Sequence, residues 1–294
     1  MQLESLRWQH KFKEQSRLPI KYKLIRMNDK ITVIGSGMMG GAIIKSLLKG
    51  GYGGKITAVD VQVEKLKEFE TLDIKTSVDN KKSAATADII FVIVKPGDVE
   101  KVLKEISMEI KGKLLISVAA TVPLAFLRKH AADAKIVRIM PNLGALVQAA
   151  YTAYCCTENV TSQEKEKVKT MLNMMGACDE LDEKYMDAIT AVSGSGPGYI
   201  SIIIEAMTYA GLKVGLPRNI ALKCAGQTVL GTGKLVIDLG EEPSKIKDMT
   251  TTPGGTTIEA IYQIEQSQIR PAMIRAIEEA TKKSQAIREK LKLE

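Results

Sequence analysis

Apolar residues follow two different rhythms along this chain. In the first half they come as short runs separated by stretches of helical length. Ile31 to Ile34 is a β-branched run, and Lys55 to Asp60 reads as a second strand. Asp88 to Val94 is apolar after its first residue and closes at Lys95-Pro96. Leu114 to Val118 and Ile136 to Ile139 are two further strand-like runs. Ala42 to Lys49 and Val61 to Phe69 read as helices between them. Apolar strands alternating with helices predict an α/β domain, a doubly wound parallel sheet covered on both faces. A helix over Thr161 to Met175 and a strand over Cys178 to Leu181 complete it.

From about Glu183 the spacing turns helical. Tyr199 to Val214, Ile220 to Leu239 and Ile269 to Leu291 carry apolar stripes such as Ile200, Ile203, Ile204 and Met207. Small residues in these helices, among them Ala206, Ala210, Gly211, Ala225, Gly226 and Gly231, permit close helix approach. The pattern predicts intertwined packing between two chains. The expected organisation is an N-terminal extension over 1–26, a dinucleotide-binding domain over 27–182, and a helical dimerisation and substrate domain over 183–294.

Composition narrows the function. The chain has 294 residues, is 45% hydrophobic and has a mean hydropathy of -0.02. No apolar run reaches the ~20 residues of a membrane span, so no membrane partner is expected. Aromatics are 4%, too few for a base-stacking surface, so no nucleic acid is expected. The net charge of +8 is concentrated at the start. Met1 to Arg26 holds seven Lys/Arg and two Asp/Glu, leaving about +3 for the body. That segment lacks the apolar core of a secretory signal and reads as a poorly ordered extension. Cys155, Cys156, Cys178 and Cys224 form no Cys-x-x-Cys pair, and no metal site is expected. They read as buried free thiols of a cytoplasmic protein.

Two kinds of glycine motif carry the chemistry. Gly35-Ser36-Gly37-Met38-Met39-Gly40 lies between a strand and a helix, with an acid about 20 residues on, the context of a dinucleotide fingerprint. Gly35 allows the tight turn, Gly37 the approach of a pyrophosphate, and Gly40 close helix packing. Asp60 ends the second strand, where a carboxylate accepts hydrogen bonds from ribose hydroxyls and repels a 2′-phosphate, which favours NADH over NADPH. The competing reading makes Asp60 a cap for the next helix. Val94, Lys95 and Pro96 end another strand, where ligands collect; Lys95 borders the cofactor or is simply solvated. The second kind comprises two Gly-Pro segments, Ser193 to Tyr199 and Thr251 to Glu259. Each reads as a backbone-exposing turn at a helix start, able to bind a carboxylate through main-chain N–H groups.

His130 is the one histidine outside the N-terminal extension, so a histidine acid or base is not expected. The β-hydroxyacid dehydrogenases share the fingerprint but place a catalytic lysine after a Gly-Ser-Gly loop. Here Gly198 to Glu205 contains no lysine. Carbonyl reduction needs a proton donor to the developing alkoxide. A protonated imine does not, because the cation becomes a neutral amine.

IGSGMMG, FVIVKPG, MPN, AVSGSGPGY and TTPGGTTIEA together resemble the pyrroline-5-carboxylate reductases, from about Met27 to the end. The resemblance implies reduction of a small imino acid, 1-pyrroline-5-carboxylate, to L-proline with NADH or NADPH. It also implies a Rossmann domain, a helical dimerisation domain and a homodimer at least, with larger rings of dimers known in the family. By position, Thr257 contacts the substrate nitrogen, and Gly254, Gly255 and Thr256 form the carboxylate-binding loop. Asn80 and Lys95 match cofactor-contacting positions, and the segment beginning at Ala119 lies near the nicotinamide. Two departures stand out. The family's usual Met-Pro-Asn-Thr-Pro is Met140-Pro141-Asn142-Leu143-Gly144 here, and its Ala-Ala-Gly is Ala119-Ala120-Thr121. The rival readings are a reductase of a related cyclic imino acid and a non-catalytic NAD(H) sensor. A sensor has no need of Thr257 or the Pro-Gly-Gly loop.

Overall fold

Residues 27–292 are described by a computed structural model; the N-terminal extension over 1–26 lies outside them. Eight strands form one sheet: β1 (Ile31–Ile34), β2 (Ile56–Val59), β3 (Lys75–Ser77), β4 (Ile89–Val92), β5 (Leu114–Ser117), β6 (Lys135–Met140), β7 (Ala150–Cys156) and β8 (Gly176–Glu180). The spatial order is β3-β2-β1-β4-β5-β6-β7-β8. Every neighbouring pair is parallel except β6 and β7. The order reverses beside β1, which opens a crevice at the strand C-termini.

β1, β4 and β5 are buried at every position, as strands covered on both faces must be. Side-chain alternation divides their residues. Val33, Phe91 and Ile116 join Ile43, Ile44 and Leu47 of helix α1 (Met38–Lys49) in one core layer. Ile34, Ile90, Val92 and Leu115 join Val99, Leu103 and Leu127 in the other. Thr32 and Ser117 are the polar residues of these strands, and the buried Thr32 hydroxyl donates to the carbonyl of Ser83 at 3.0 Å.

The sheet departs from expectation in three places. β7 is a seven-residue strand antiparallel to β6, so the sheet is mixed, not wholly parallel. The helix expected over Val61 to Phe69 is a 3₁₀ turn (Val63–Lys65) and a single helical turn, α2 (Lys67–Glu70). Gln62 is extended there, with φ -98° and ψ 104°, and its N–H is held by the Asp60 carboxylate. The run Asp88 to Val94 is a strand only over Ile89–Val92, after which the chain turns into a 3₁₀ segment at Pro96–Asp98.

The remaining helices of the sheet region are α3 (Asn80–Thr86), α4 (Val99–Glu105), α5 (Leu124–His130), α6 (Ser162–Asn173) and α7 (Met186–Ile189). Thr161 and Glu164 close a reciprocal capping box at the start of α6. Beyond them lie α8 (Gly196–Lys213), α9 (Arg218–Leu239), α10 (Pro243–Met249), α11 (Thr256–Gln266) and α12 (Ile269–Lys292). The described chain divides into two compact units. One runs through Pro197 and resumes at Ala276; the other is Gly198–Arg275. The return to the first unit has a polar clasp: Asp187 accepts from the Ser284 hydroxyl at 2.7 Å and pairs with Arg288 at 3.1 Å.

Burial of the thiols is uneven. Cys155 and Cys178 are buried, Cys156 is half-buried, and Cys224 is exposed. Burial pushes the Cys155 thiol up to about 12 and those of Cys156 and Cys178 up to about 11. The expectation of four buried thiols therefore fails at Cys224, which lies on α9 in the unit with little core of its own.

Candidate active site

The glycine loop has the stereochemistry its sequence requires. Gly35 sits at φ +97°, and a Cβ there would stand 2.2 Å from the carbonyl oxygen of Ile93. A Cβ on Gly40 would stand 2.0 Å from the carbonyl oxygen of Gly35. Gly37 is different: nothing lies within 4 Å of its would-be Cβ. Gly37 also caps the N-terminus of α1 without any side-chain hydrogen bond. The first-turn N–H groups of a twelve-residue helix thus face an open approach, a cradle that fits a pyrophosphate. Met38 is exposed beside it, while Met39 packs against the core.

Asp60 is tied to this loop. It is buried, and its Oδ2 accepts from the Ser36 backbone N–H at 3.0 Å. Its Oδ1 accepts from the Gln62 N–H at 2.9 Å, and Lys65 Nζ lies 3.7 Å away. The Ser36 hydroxyl donates to Val59 O at 3.2 Å. Asp60 thus meets two parts of the structure. It organises the turn that follows it, and it also lines a cleft of about 260 Å³ with Gly35, Asn80, Val94 and Glu105. Asn80 is the first residue of α3 and is itself buried; its Nδ2 donates to Glu105 Oε2 at 2.9 Å.

The structure thus gathers Gly35, Asp60, Asn80 and Val94 around one cleft. Lys95 is exposed at an extended position before Pro96 and is not among the residues lining it. Ala119 is buried within the core layer of Val122 and Phe126. Glu105 lines the cleft without any local sequence signal. Its connection to Asn80 spans 25 residues, beyond the reach of a periodicity argument.

Both family departures have a local physical setting. Thr121 is buried at φ +69°, a backbone region natural to glycine and strained for a β-branched residue. Gly144 donates its N–H to Asn142 Oδ1 at 3.0 Å, and a Cβ there would meet Ala149 O at 2.6 Å. A proline at 144 would lack that N–H. Asn142 Nδ2 in turn donates to the Ser193 hydroxyl at 3.1 Å.

The Ser193 to Tyr199 segment is not the exposed turn its glycines and proline imply. Thr190–Gly194 is a π-helical turn running into α8, and Ser195 N–H is already bonded to Thr190 O at 2.9 Å. Pro197 is tolerated because the first-turn N–H groups of α8 have no intrahelical partner in any case.

The second Gly-Pro segment does have the open form. Gly254 is at φ +67°, and Gly255 caps α11 with no side-chain hydrogen bond. Thr256 and Thr257 are the first two helical residues. Thr256 is exposed and Thr257 half-buried. Among the described residues the Thr257 hydroxyl has no hydrogen bond, so it is not spent on capping. The Gly255 N–H is bonded to Thr252 O at 3.0 Å, so the first-turn N–H groups of α11, together with this hydroxyl, are what suit a small carboxylate beside a polar nitrogen.

No cluster of three metal-ligating side chains occurs among the described residues, and none of their helices is long and apolar enough to cross a membrane.

Two family models match separate stretches of the chain. The family "Pyrroline-5-carboxylate reductase dimerisation" matches residues 183–287. The family "NADP oxidoreductase coenzyme F420-dependent" matches residues 30–121. The pyrroline-5-carboxylate reductase of Methanosarcina acetivorans is 36% identical over 268 residues, covering 90% of this chain and 99% of its own. That of Escherichia coli is 38% identical over 266 residues, covering 89% and 99%. The crystal structure of Plasmodium falciparum pyrroline carboxylate reductase with NADP bound superposes with a TM-score of 0.81 at 30% identity, covering 89% and 99%.

Proposed function

This chain belongs to the pyrroline-5-carboxylate reductase family, and we propose from that premise how its residues share the work. The reaction is the NAD(P)H-dependent reduction of 1-pyrroline-5-carboxylate to L-proline, the last step of proline biosynthesis. The bound dinucleotide supplies the hydride that adds to the C=N carbon. The glycine loop and the α1 N-terminus hold the pyrophosphate, and Asp60 and Asn80 receive the adenosine ribose. Val94, Lys95 and Pro96 border the cofactor further along, with Ala119 behind it. The open cradle at Gly37 is the observation that carries this placement.

The Gly254-Gly255-Thr256 backbone holds the substrate carboxylate, and the Thr257 hydroxyl hydrogen-bonds the ring nitrogen. The uncapped start of α11 and the unengaged Thr257 hydroxyl support these roles. The nitrogen enters the reaction as a cation and leaves it as a neutral amine, so no side chain has to deliver a proton to a developing anion.

NADH is the preferred cofactor, because Asp60 presents a carboxylate where a 2′-phosphate would lie. The working unit is a homodimer at least, built by the helical region from residue 183 onward, and the enzyme is cytoplasmic. NADH oxidation on adding racemic 1-pyrroline-5-carboxylate, with L-proline identified as the product, tests the assignment. Turnover of only a six-membered cyclic imino acid would overturn it.

A further inference from the structure

We propose that Glu105 is a positioning residue. It decides which end of the Asn80 amide faces the nucleotide cleft, and so sets the affinity for a ribose bearing free hydroxyls. The proposal rests on the reading that Asn80 contacts the dinucleotide.

A side-chain amide has a donor end and an acceptor end of nearly equal size, so packing alone does not select its orientation. A carboxylate can only accept. Glu105 Oε2 holds one hydrogen of the Asn80 Nδ2 at 2.9 Å, which fixes the donor end beside the carboxylate and leaves Oδ1 as the acceptor open to a ligand, with the second Nδ2 hydrogen beside it. Both residues line the cleft that holds Asp60. With the amide so oriented, Asp60 and Asn80 both present acceptors. Ribose hydroxyls donate to such a pair, whereas phosphate oxygens, acceptors themselves, do not.

Glu105 can hold this position because its helix is anchored. Val99, Val102 and Leu103 of α4 are buried against the sheet, while Glu105 itself is exposed at the helix end. No apolar contact depends on its carboxylate, so substitution there leaves the core intact.

The test is a double-mutant cycle on NADH kinetics. Glu105→Met should raise KM for NADH about fivefold, the scale of one lost orienting hydrogen bond, with kcat and the imino-acid KM unchanged. Glu105→Gln should restore most of the affinity, because its carbonyl can still accept. In an Asn80→Ala background, Glu105→Met should add less than about twofold, since the two residues act as one unit. Glu105→Ala replaces the Met variant if that one folds poorly. An unchanged KM in Asn80→Ala would overturn the reading of Asn80 and this proposal with it. A raised KM in Asn80→Ala with full additivity, or with no effect of Glu105→Met, would overturn the positioning role alone.

Discussion

The backbone N–H of Ser36, inside the glycine loop, donates to Oδ2 of Asp60 at 3.0 Å. One carboxylate therefore shapes the glycine loop and lines the cleft beside it. A second negative charge brought against it, such as a 2′-phosphate, meets repulsion of about several kcal/mol in a partly desolvated site. Lys65 lies 3.7 Å away with its side chain 42% exposed, and solvent screening there limits how much of that it offsets. Wild-type enzyme should prefer NADH in kcat/KM. Asp60→Asn and Asp60→Ser should both shift the ratio toward NADPH by about tenfold or more, since each 1.4 kcal/mol is tenfold. The Ser variant should also melt lower, because a shorter side chain leaves the Ser36 N–H without its acceptor, a loss of about 1–3 kcal/mol. Lower melting with an unchanged cofactor ratio would confine Asp60 to loop organisation.

Thr257 is the second residue of α11, whose N-cap Gly255 supplies no side-chain hydrogen bond. Removing its hydroxyl should cost a substrate hydrogen bond and little stability. Thr257→Ala is expected to lower kcat/KM for the imino acid about 5- to 150-fold, the range of about 1–3 kcal/mol. NADH affinity should stay the same. Full turnover by the Ala variant would remove Thr257 from the reaction.

How much of this could be read from sequence depended on the range of the interactions. β1, β4 and the glycine loop are defined by adjacent residues, and their positions follow from local pattern. β7 escaped because Ala150–Cys156 mixes Ala, Thr, Tyr and Cys with no strong apolar rhythm. Its strand state comes from pairing with β6 and β8. The Ser193 segment misled for the opposite reason. Its glycines and proline are turn formers locally, yet Ser193 is held to the sheet region through Asn142, 51 residues away. Asn80 is named by family resemblance, and its hydrogen bond to Glu105 is visible only in the structure.

Thr121 marks a strained point that glycine would relieve. It is a buried β-branched residue at φ +69°. Such strain costs about 1–3 kcal/mol, partly offset on mutation by the greater freedom of glycine in the unfolded chain. Thr121→Gly should raise the melting temperature by a few degrees, about what 1 kcal/mol gives in a protein of this size. A lower melting temperature would show that the Thr121 side chain contributes more than its backbone costs.

The Gly198–Arg275 unit has almost no hydrophobic core of its own. Ala221, Ala225 and Ile246 are its only buried hydrophobic residues, while Ile202 is 64% and Ile237 79% exposed. Apolar surface on this scale calls for a partner, and a dimerisation family matches this region. Sedimentation at micromolar concentration should give at least twice the 32.1 kDa chain mass. The melting temperature should rise with protein concentration, as it does whenever folding and assembly are linked. A monomer with concentration-independent melting would refute the assignment.

His130 should make stability depend on pH. Its side chain is 7% exposed and packs 4.7 Å from the Phe126 ring. Burial lowers its pKa below the ordinary 6.5; Glu100 opposes that shift, and Lys129 and Lys104 add to it. Its Nε2 is buried without a partner, so the neutral ring is the form the site accepts. Below 6.5 the unfolded chain binds this proton more readily than the folded one. The contribution to stability is therefore complete above 6.5 and is lost as pH falls from there through the folded value. Glu100 Oε1, 3.9 Å from Nδ1, limits the loss but does not cancel it. His130→Leu removes the titrating group and keeps an apolar side chain against Phe126. Between about pH 7.5 and about pH 5.5 the wild-type melting temperature should fall more than that of the variant. Equal slopes would mean that the ring takes up its proton without cost in the folded protein, with Glu100 as the compensating charge.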